Sequence, residues 1–239
     1  MAMYEDCLVT FIDILGFGNL VKTRSANDIY QILKKLEKFT QPDDHEAKIR
    51  SMDEARLYSR AFAHIISDAI VRVRPYNTQM RNGAFVYELI DLLHAQIELI
   101  NSGIFIRAGM AIGLCHTGIL GEGPLFGPAM IEAYKLENEV ALNPRILIHD
   151  QVLQAHRSDE QLRGEQNTLE YELKVVNQFV LMDNDGYHFI DYLNNYDEFD
   201  DLCTFIQFLQ THAELIRKGL IDYAAIPKVL SKYDWLRNY

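Results

Sequence analysis

Basic residues are scarce in this sequence relative to acidic ones. Its 239 residues include 23 lysines and arginines against 34 aspartates and glutamates, which gives a net charge of -11. Broad contact with nucleic acid or with an anionic membrane needs a basic face, so we expect neither partner. A small anionic ligand such as a nucleotide is still compatible with this charge, provided that metal ions and backbone dipoles supply local positive charge.

Cysteines and long apolar runs are also few. The three cysteines, Cys7, Cys115 and Cys203, are far apart in the sequence, which argues against a disulfide framework or a zinc site. No apolar run reaches membrane-spanning length, and no N-terminal signal sequence is visible. We therefore expect reduced thiols and a cytoplasmic location.

The residues that are present suit a large α+β domain. Hydrophobic residues make up 49% of the chain, enough for a sizeable core. The patterns predict two β-α units around a central hairpin, which is a ferredoxin-like, palm-type sheet, antiparallel or mixed, with helices on one face. We expect a core over residues 1–155 and an extension of the same domain over 156–239, with a hairpin around Asp183-Asn-Asp-Gly186 and C-terminal helices.

The stretch from Cys7 to Gly18 is the centre of the functional prediction. It is an apolar strand that ends in Asp13 and is followed by the turn Gly16-Phe17-Gly18. A carboxylate at a strand end beside exposed backbone N–H groups can hold a metal ion next to a phosphate. The alternative is an Asp that only caps the next helix.

A second carboxylate strengthens the metal interpretation. Asp68 lies at the predicted tip of the hairpin between residues 61 and 74. If the first strand pairs with this hairpin, Asp13 and Asp68 converge, and a cation between them relieves their repulsion. Hard cations favour oxygen ligands, so we predict Mg²⁺ or Mn²⁺, with two ions sharing the pair.

Three segments, in this order, resemble class III nucleotidyl cyclases. Phe11-Ile-Asp13-Ile-Leu-Gly16-Phe17 and Ile66-Ser-Asp68 are similar to the two metal-aspartate motifs of that family. The third segment, made of residues 106–113 followed by 126–137, resembles the strand, loop and helix of that family that contact the ribose and the transition state. The resemblance covers roughly residues 5–155 and implies a nucleoside triphosphate substrate and a homodimer with active sites at the interface.

The resemblance also implies individual roles. It adds the carbonyl of Ile14 to the metal ligands, gives phosphate binding to the turn of Gly16, Phe17 and Gly18, and gives transition-state charge neutralisation to Lys135 and Arg145. Arg107 is left open between a catalytic role and a structural ion pair. The bulky residues expected near the base are Tyr58, Phe62 and His64.

The departures from the family pattern concern the base and the ribose. Ile131 stands where the family has its ribose-contacting Asn, and Lys135 stands where it has an Arg, which keeps the charge but loses the bidentate fork. His64 and Pro124 stand where the family has its purine-selecting Lys and Asp. The sequence resembles most the pyrimidine cyclases of bacterial Pycsar antiphage systems.

That resemblance implies synthesis of cyclic UMP or cyclic CMP as a signal for a separate effector, with UTP favoured. Two alternatives remain: an inactive nucleotide-binding module on the same fold, which the losses at Ile131 and Lys135 motivate, and a purine cyclase with other base contacts.

Overall fold

The structure is a computed structural model that describes residues 4–40, 57–66, 69–117 and 124–239. The predicted metal ligand Asp68 lies outside the described residues, as do residues 118–123. The other predicted site residues fall on the described part of the chain.

The core of the structure is a seven-stranded sheet in the order β2-β3-β1-β4-β5-β7-β6. All pairs of neighbouring strands are antiparallel except β4 and β5, which are parallel. The strands are β1 (Glu5–Ile14), β2 (Phe62–Ile66), β3 (Ala69–Pro75), β4 (Ile106–Cys115), β5 (Ile146–Ile148), β6 (Val180–Met182) and β7 (His188–Ile190).

The first four strands form the predicted ferredoxin-like arrangement. β1 lies in the centre and pairs antiparallel with β3 on one side and with β4 on the other, while β2 forms the edge beside β3. β5 then extends the sheet beyond β4, and the hairpin of β7 and β6 completes it. The predicted α+β fold class, with a C-terminal hairpin and helices, is confirmed.

The helices connect and cover these strands. Several begin at a side chain that accepts a backbone N–H; Asp201 and Thr204, for example, form a reciprocal capping box. No helix of the described part of the chain is long and apolar enough to cross a membrane. The helices are α1 (Phe17–Thr23), α2 (Ala26–Thr40), α3 (Ala84–Asn101), α4 (Pro128–Lys135), α5 (Asp150–Ser158), α6 (Leu169–Phe179), α7 (Leu202–Asp222) and α8 (Pro227–Asn238), and the π-helical turn Leu136–Val140 follows α4 directly.

The two faces of β1 contribute to different hydrophobic clusters, because successive side chains of a strand point to opposite faces. Leu8 and Ile12 belong to the large cluster that includes α2, α3 and α7. Cys7 and Val9 belong to a smaller cluster with Ala133 and its neighbours on α4. The expectation that the helices pack on one face is therefore wrong, since α4 lies on the opposite face.

Gly109 of β4 explains how closely α4 approaches the sheet. A Cβ atom at this position would lie 2.6 Å from the carbonyl oxygen of Ala133 and 2.7 Å from the backbone nitrogen of Glu137. Only glycine allows the helix and the following π-helical turn to rest directly on the strand. This close approach places Glu137 next to β4.

The region after residue 155 contains one element that the sequence did not predict. α6 precedes the hairpin, with Val176 and Phe179 buried in the main core. Arg145, which immediately precedes β5, ties the hairpin to the rest of the sheet through ion pairs with Asp183 and Asp185 in its turn.

Candidate active site

Asp13 is at the carboxyl end of β1, and its carboxylate is held by an arginine of the neighbouring strand. Asp13 lies opposite Arg107 in the β1–β4 register, and the Nε of Arg107 donates a hydrogen bond of 2.9 Å to Asp13 Oδ2. A terminal nitrogen of Arg107 lies 2.8 Å from Glu137 Oε1. The structural interpretation of Arg107, which the sequence left open, is therefore confirmed as far as this ion pair is concerned.

These three side chains differ in burial. Glu137 is 3% exposed, whereas Asp13 and Arg107 are about one-fifth exposed, at 21% and 19%. The charged cluster is thus buried on the side of the π-helical turn and accessible to solvent or to a ligand on the other side. Glu137 lies within the segment on which the resemblance depends, but no pattern in the sequence showed that it pairs with Arg107.

The β1–β3 register fixes which part of the hairpin lies beside Asp13. Asp13 pairs with Ala69, the residue that directly follows Asp68 in the sequence. The convergence of strand one with the hairpin, which the metal prediction required, is thus present in the backbone. Among the described residues, no group of three His, Cys, Asp or Glu side chains is placed to hold a metal ion.

His64 lies on the same face of the sheet as Asp13. It pairs with Val71, which pairs with Phe11, two residues before Asp13 on β1. The Cα atoms of His64 and Asp13 are consequently separated by two strand spacings and two residues, roughly 12 Å. The Nε2 atom of His64 is buried and finds no hydrogen-bond partner among the described residues.

The turn after β1 starts a short helix. Gly16 adopts the left-handed conformation, with φ 73°, and its carbonyl accepts the N–H groups of Asn19 and Leu20. Phe17 and Gly18 lie in the first turn of α1, where the helix itself offers no acceptor for their N–H groups. These donors lie directly after the strand that carries Asp13.

The remaining predicted residues are distributed over the fold. Tyr58 bridges to Met80 at the end of the β2–β3 hairpin that is remote from Asp13, so the structure does not bring the two together. Lys135 is exposed at the end of α4 and forms a 2.8 Å ion pair with Glu132. Its hydrogen bond to Glu132 raises the pKa of Lys135, so it is a cation at neutral pH.

Arg145 is the most buried of the predicted catalytic residues. It is 1% exposed, pairs with the hairpin carboxylates Asp183 and Asp185, and lies near the rings of Phe189 and Trp235, at 5.9 and 5.5 Å. These contacts give Arg145 a structural task between β5 and the hairpin. Its catalytic role stays a prediction.

Comparison with known proteins gives structural neighbours but no sequence relatives. No family model matches the chain, and no curated protein matches it. Among solved structures, the chain is similar to the catalytic core of a rhodopsin-guanylyl cyclase with converted specificity in complex with ATPαS, with 16% identity, a TM-score of 0.46, and 79% of this chain and 96% of that chain covered.

Two further structures show a similar degree of likeness. The guanylyl cyclase domain of the RhoGC fusion protein from the aquatic fungus Blastocladiella emersonii is 17% identical, with a TM-score of 0.46, and 78% of this chain and 95% of that chain are covered. A bacterial light-regulated adenylyl cyclase is 14% identical, with a TM-score of 0.46, and 87% and 99% are covered. Likenesses of this size do not establish a family for the chain.

Proposed function

We propose that this protein is a pyrimidine nucleotide cyclase, which converts UTP, or CTP, to the 3′,5′-cyclic monophosphate and pyrophosphate. The observation that carries the proposal is the sheet register. It puts Asp13 opposite the residue that follows Asp68, and it puts His64 on the same face roughly 12 Å from Asp13. In the proposal, a single nucleotide lies between these positions, with its phosphates at Asp13 and its base toward His64.

The donor atoms at this end of the sheet suit a hard divalent cation. Asp13, the carbonyl of Ile14 and Asp68 offer only oxygen, which Mg²⁺ and Mn²⁺ prefer, and they would hold the two ions. Such ions, when bound, lower the pKa of the attacking hydroxyl and neutralise charge on the triphosphate. Arg107 engages Oδ2 of Asp13, so its role in the proposal is to orient that carboxylate.

The reaction forms one bond and breaks one. The 3′-oxygen of the ribose bonds to the α-phosphorus as the bond between that phosphorus and the β-phosphate oxygen breaks, the hydroxyl proton is released to solvent, and pyrophosphate leaves. Because both reacting groups belong to one bound molecule, holding the substrate in a folded conformation lowers the entropic part of the barrier.

The chain's own donors and cations stabilise the phosphates during this step. The first-turn N–H groups of Phe17 and Gly18, after the left-handed Gly16, face the phosphates in the proposal. Lys135 neutralises charge in the transition state, with Arg145 as the second predicted cation. Lys135 is exposed in the single chain. In the proposed homodimer, its side chain enters the active site of the partner subunit.

The base is assigned to the His64 side of the site. A buried ring nitrogen without a partner among the described residues gains a hydrogen bond when a base supplies one. Uracil and cytosine are small enough to lie beside His64, and we favour UTP. The product is proposed to be a second messenger for antiphage defence, read by a separate effector.

A four-substrate assay tests the proposed activity. Purified protein is incubated with Mn²⁺ and each of ATP, GTP, CTP and UTP, and cyclic product and pyrophosphate are quantified. Turnover of UTP or CTP is expected. Turnover of ATP or GTP alone would exclude the pyrimidine assignment, and no turnover with any of the four would exclude the enzyme.

Two isosteric variants test the metal ligands. Asp13→Asn and Asp68→Asn each remove a charged oxygen ligand and should lower turnover by more than about a hundredfold, since such ions contribute several kcal/mol to transition-state stabilisation. The exposed Asp200 provides a matched control, and Asp200→Asn should keep wild-type activity. Substantial activity in either site variant would exclude the two-metal assignment.

A catalytically inactive nucleotide-binding module is the second candidate. The ion pair of Asp13 with Arg107 favours it, because a carboxylate neutralised by an arginine attracts a cation less strongly. Calorimetric binding of a nucleoside triphosphate without any turnover would identify this module.

A further inference from the structure

The C-terminal helix pair reaches the end of the sheet at which Asp13 lies. Tyr233 of α8 packs edge-on against Phe105, with ring centroids 6.1 Å apart, and stacks on Tyr223 at 5.7 Å. Phe105 immediately precedes β4, and its carbonyl accepts the N–H of Leu15, two residues after Asp13. The hydroxyl of Tyr223 also accepts a 3.1 Å hydrogen bond from Asn19 of α1.

The residue before Tyr233 is Lys232, a lysine whose charge interacts with the charged cluster of the candidate site. Lys232 is half-buried and lies within electrostatic range of Arg107, Asp13 and Glu137. It forms no salt bridge with any residue in the described ranges. A half-buried ammonium group without an ion pair is uncommon, because long charged side chains usually keep their charge in water or pair it.

The side of the site on which Lys232 lies indicates which part of a nucleotide it would meet. His64 is on β2, two strands to one side of β1. Arg107 is on β4, on the other side of β1, and Phe105 directly precedes β4. If the base lies toward His64, the phosphate chain extends toward β4 and α8. The N–H groups of α1, which contacts the α7–α8 turn through Asn19, also lie at this end.

We propose that Lys232 is a substrate-binding residue of this site, whose ammonium group contacts the β- and γ-phosphates of the nucleoside triphosphate and then the departing pyrophosphate. The inference rests on the proposed function, since it takes a triphosphate held at Asp13. It gives the C-terminal extension a direct role in the site: the extension carries a phosphate-binding cation to the catalytic core of its own chain.

Charge supports this assignment. A triphosphate carries about four negative charges, and it would enter a site with two carboxylates in a chain of net charge -11. Arg107 already forms ion pairs with Asp13 and Glu137. Burial, followed by the charge of Arg107, lowers the pKa of Lys232, so the ammonium form gains more from an anionic ligand than an exposed lysine would.

Pyrophosphate binding tests the inference independently of cyclisation and of base identity. Four proteins are titrated with pyrophosphate and with 3′-deoxyuridine triphosphate in the presence of Mn²⁺: the wild type, Lys232→Met, Lys232→Arg and the control Lys218→Met. Lys218 is an exposed lysine of α7. Lys232→Met should weaken both affinities about tenfold or more, the usual effect of losing a hydrogen bond to a charged group. Lys232→Arg should retain most of the affinity, Lys218→Met should match the wild type, and binding of UMP should be unchanged in all variants.

A second measurement does not depend on the folding of a variant. Wild-type lysines are acylated with and without pyrophosphate and Mn²⁺, and modification is quantified by mass spectrometry. Pyrophosphate should protect Lys232 and leave Lys218 unaffected.

The outcomes separate the two proposals. The inference alone is overturned if Lys232→Met binds pyrophosphate with the wild-type affinity. It is also overturned if pyrophosphate does not reduce the modification of Lys232. Binding that depends on Lys232 in a protein without turnover overturns the cyclase proposal and keeps the phosphate site. A wild-type protein that binds neither pyrophosphate nor the deoxynucleotide overturns the inference as well.

Discussion

Asp13 and Arg107 face each other across the β1–β4 pair, and the 2.9 Å hydrogen bond between them joins the predicted metal ligand to the buried Glu137. The two partners of Arg107 differ in burial. Glu137 is buried and is stabilised by the charge of Arg107, whereas Asp13 remains accessible enough to bind a ligand. The same arginine stabilises the fold and sets the electrostatics of the site.

Removal of Arg107 should destabilise the protein through Glu137. Arg107→Met leaves a carboxylate that is 3% exposed without this cation, and we expect a loss of about 2 kcal/mol or more in the free energy of unfolding, measured in urea. The double variant Arg107→Met with Glu137→Gln should recover part of this loss, because no buried charge is left unpaired. Equal stability of Arg107→Met and the wild type would mean that the ion pair contributes nothing.

Replacement of His64 should separate stability from substrate affinity. His64→Leu removes a buried nitrogen that has no partner among the described residues, so the free energy of unfolding should stay the same or rise. The KM for the pyrimidine triphosphate should rise about tenfold, because a hydrogen bond to the base is lost. His94, which is on the surface of α3, offers the control His94→Leu. An unchanged KM in His64→Leu would remove this residue from the base site.

Mixing two inactive variants tests the predicted homodimer. Lys135→Met should fold as well as the wild type, since its ion pair with Glu132 is exposed and contributes little to stability, but it should lose turnover. If each active site takes Asp13 from one subunit and Lys135 from the other, a mixed dimer of Asp13→Asn and Lys135→Met keeps one intact site. The mixture should then recover about a quarter of the wild-type activity, by counting of random dimers. No recovery after subunit exchange would place both residues in the same chain's site.

Acid should destabilise the protein through a buried carboxylate of α3. Burial opposes ionisation of Glu88, but Arg72 and Arg74, at 2.8 and 2.7 Å, outweigh it and hold the pKa of Glu88 below its usual value. A lowered folded-state pKa gives stability that is present above the unfolded-state pKa of about 4.3 and is lost as the pH falls toward the folded-state pKa.

Urea titrations of the wild type and Glu88→Gln between pH 7 and pH 3 measure this contribution. At pH 7 the variant should be less stable by about 3 kcal/mol, because two buried arginines lose one of the two carboxylates that they share and keep only Asp91. Its free energy of unfolding should then depend less on pH than that of the wild type. Exposed Glu170 supplies the control Glu170→Gln, and parallel pH curves for the wild type and Glu88→Gln would contradict the assignment.

Much of the fold could be predicted because its elements have local signals. The α3 helix has such signals, since its apolar spacing is regular and Gly83 and Ser102-Gly103 mark its ends. The hairpin around Asp183–Gly186 was predicted from its turn residues. The α6 helix was missed, and the position of α4 on the opposite face depends on the close approach at Gly109, which no local pattern reveals.

The sequence by itself determined the strand that ends in Asp13, the hairpin that follows it and the chemistry of their carboxylates, because residue type and period 2 alternation are local properties. Tertiary structure decided which groups meet there. Strand pairing set Arg107 opposite Asp13, the helix packing on Gly109 brought Glu137 to Arg107, and the fold of the C-terminal helices carried Lys232 to the same cluster. Lys232 is 219 positions after Asp13 in the sequence, and only long-range packing brings such distant residues together.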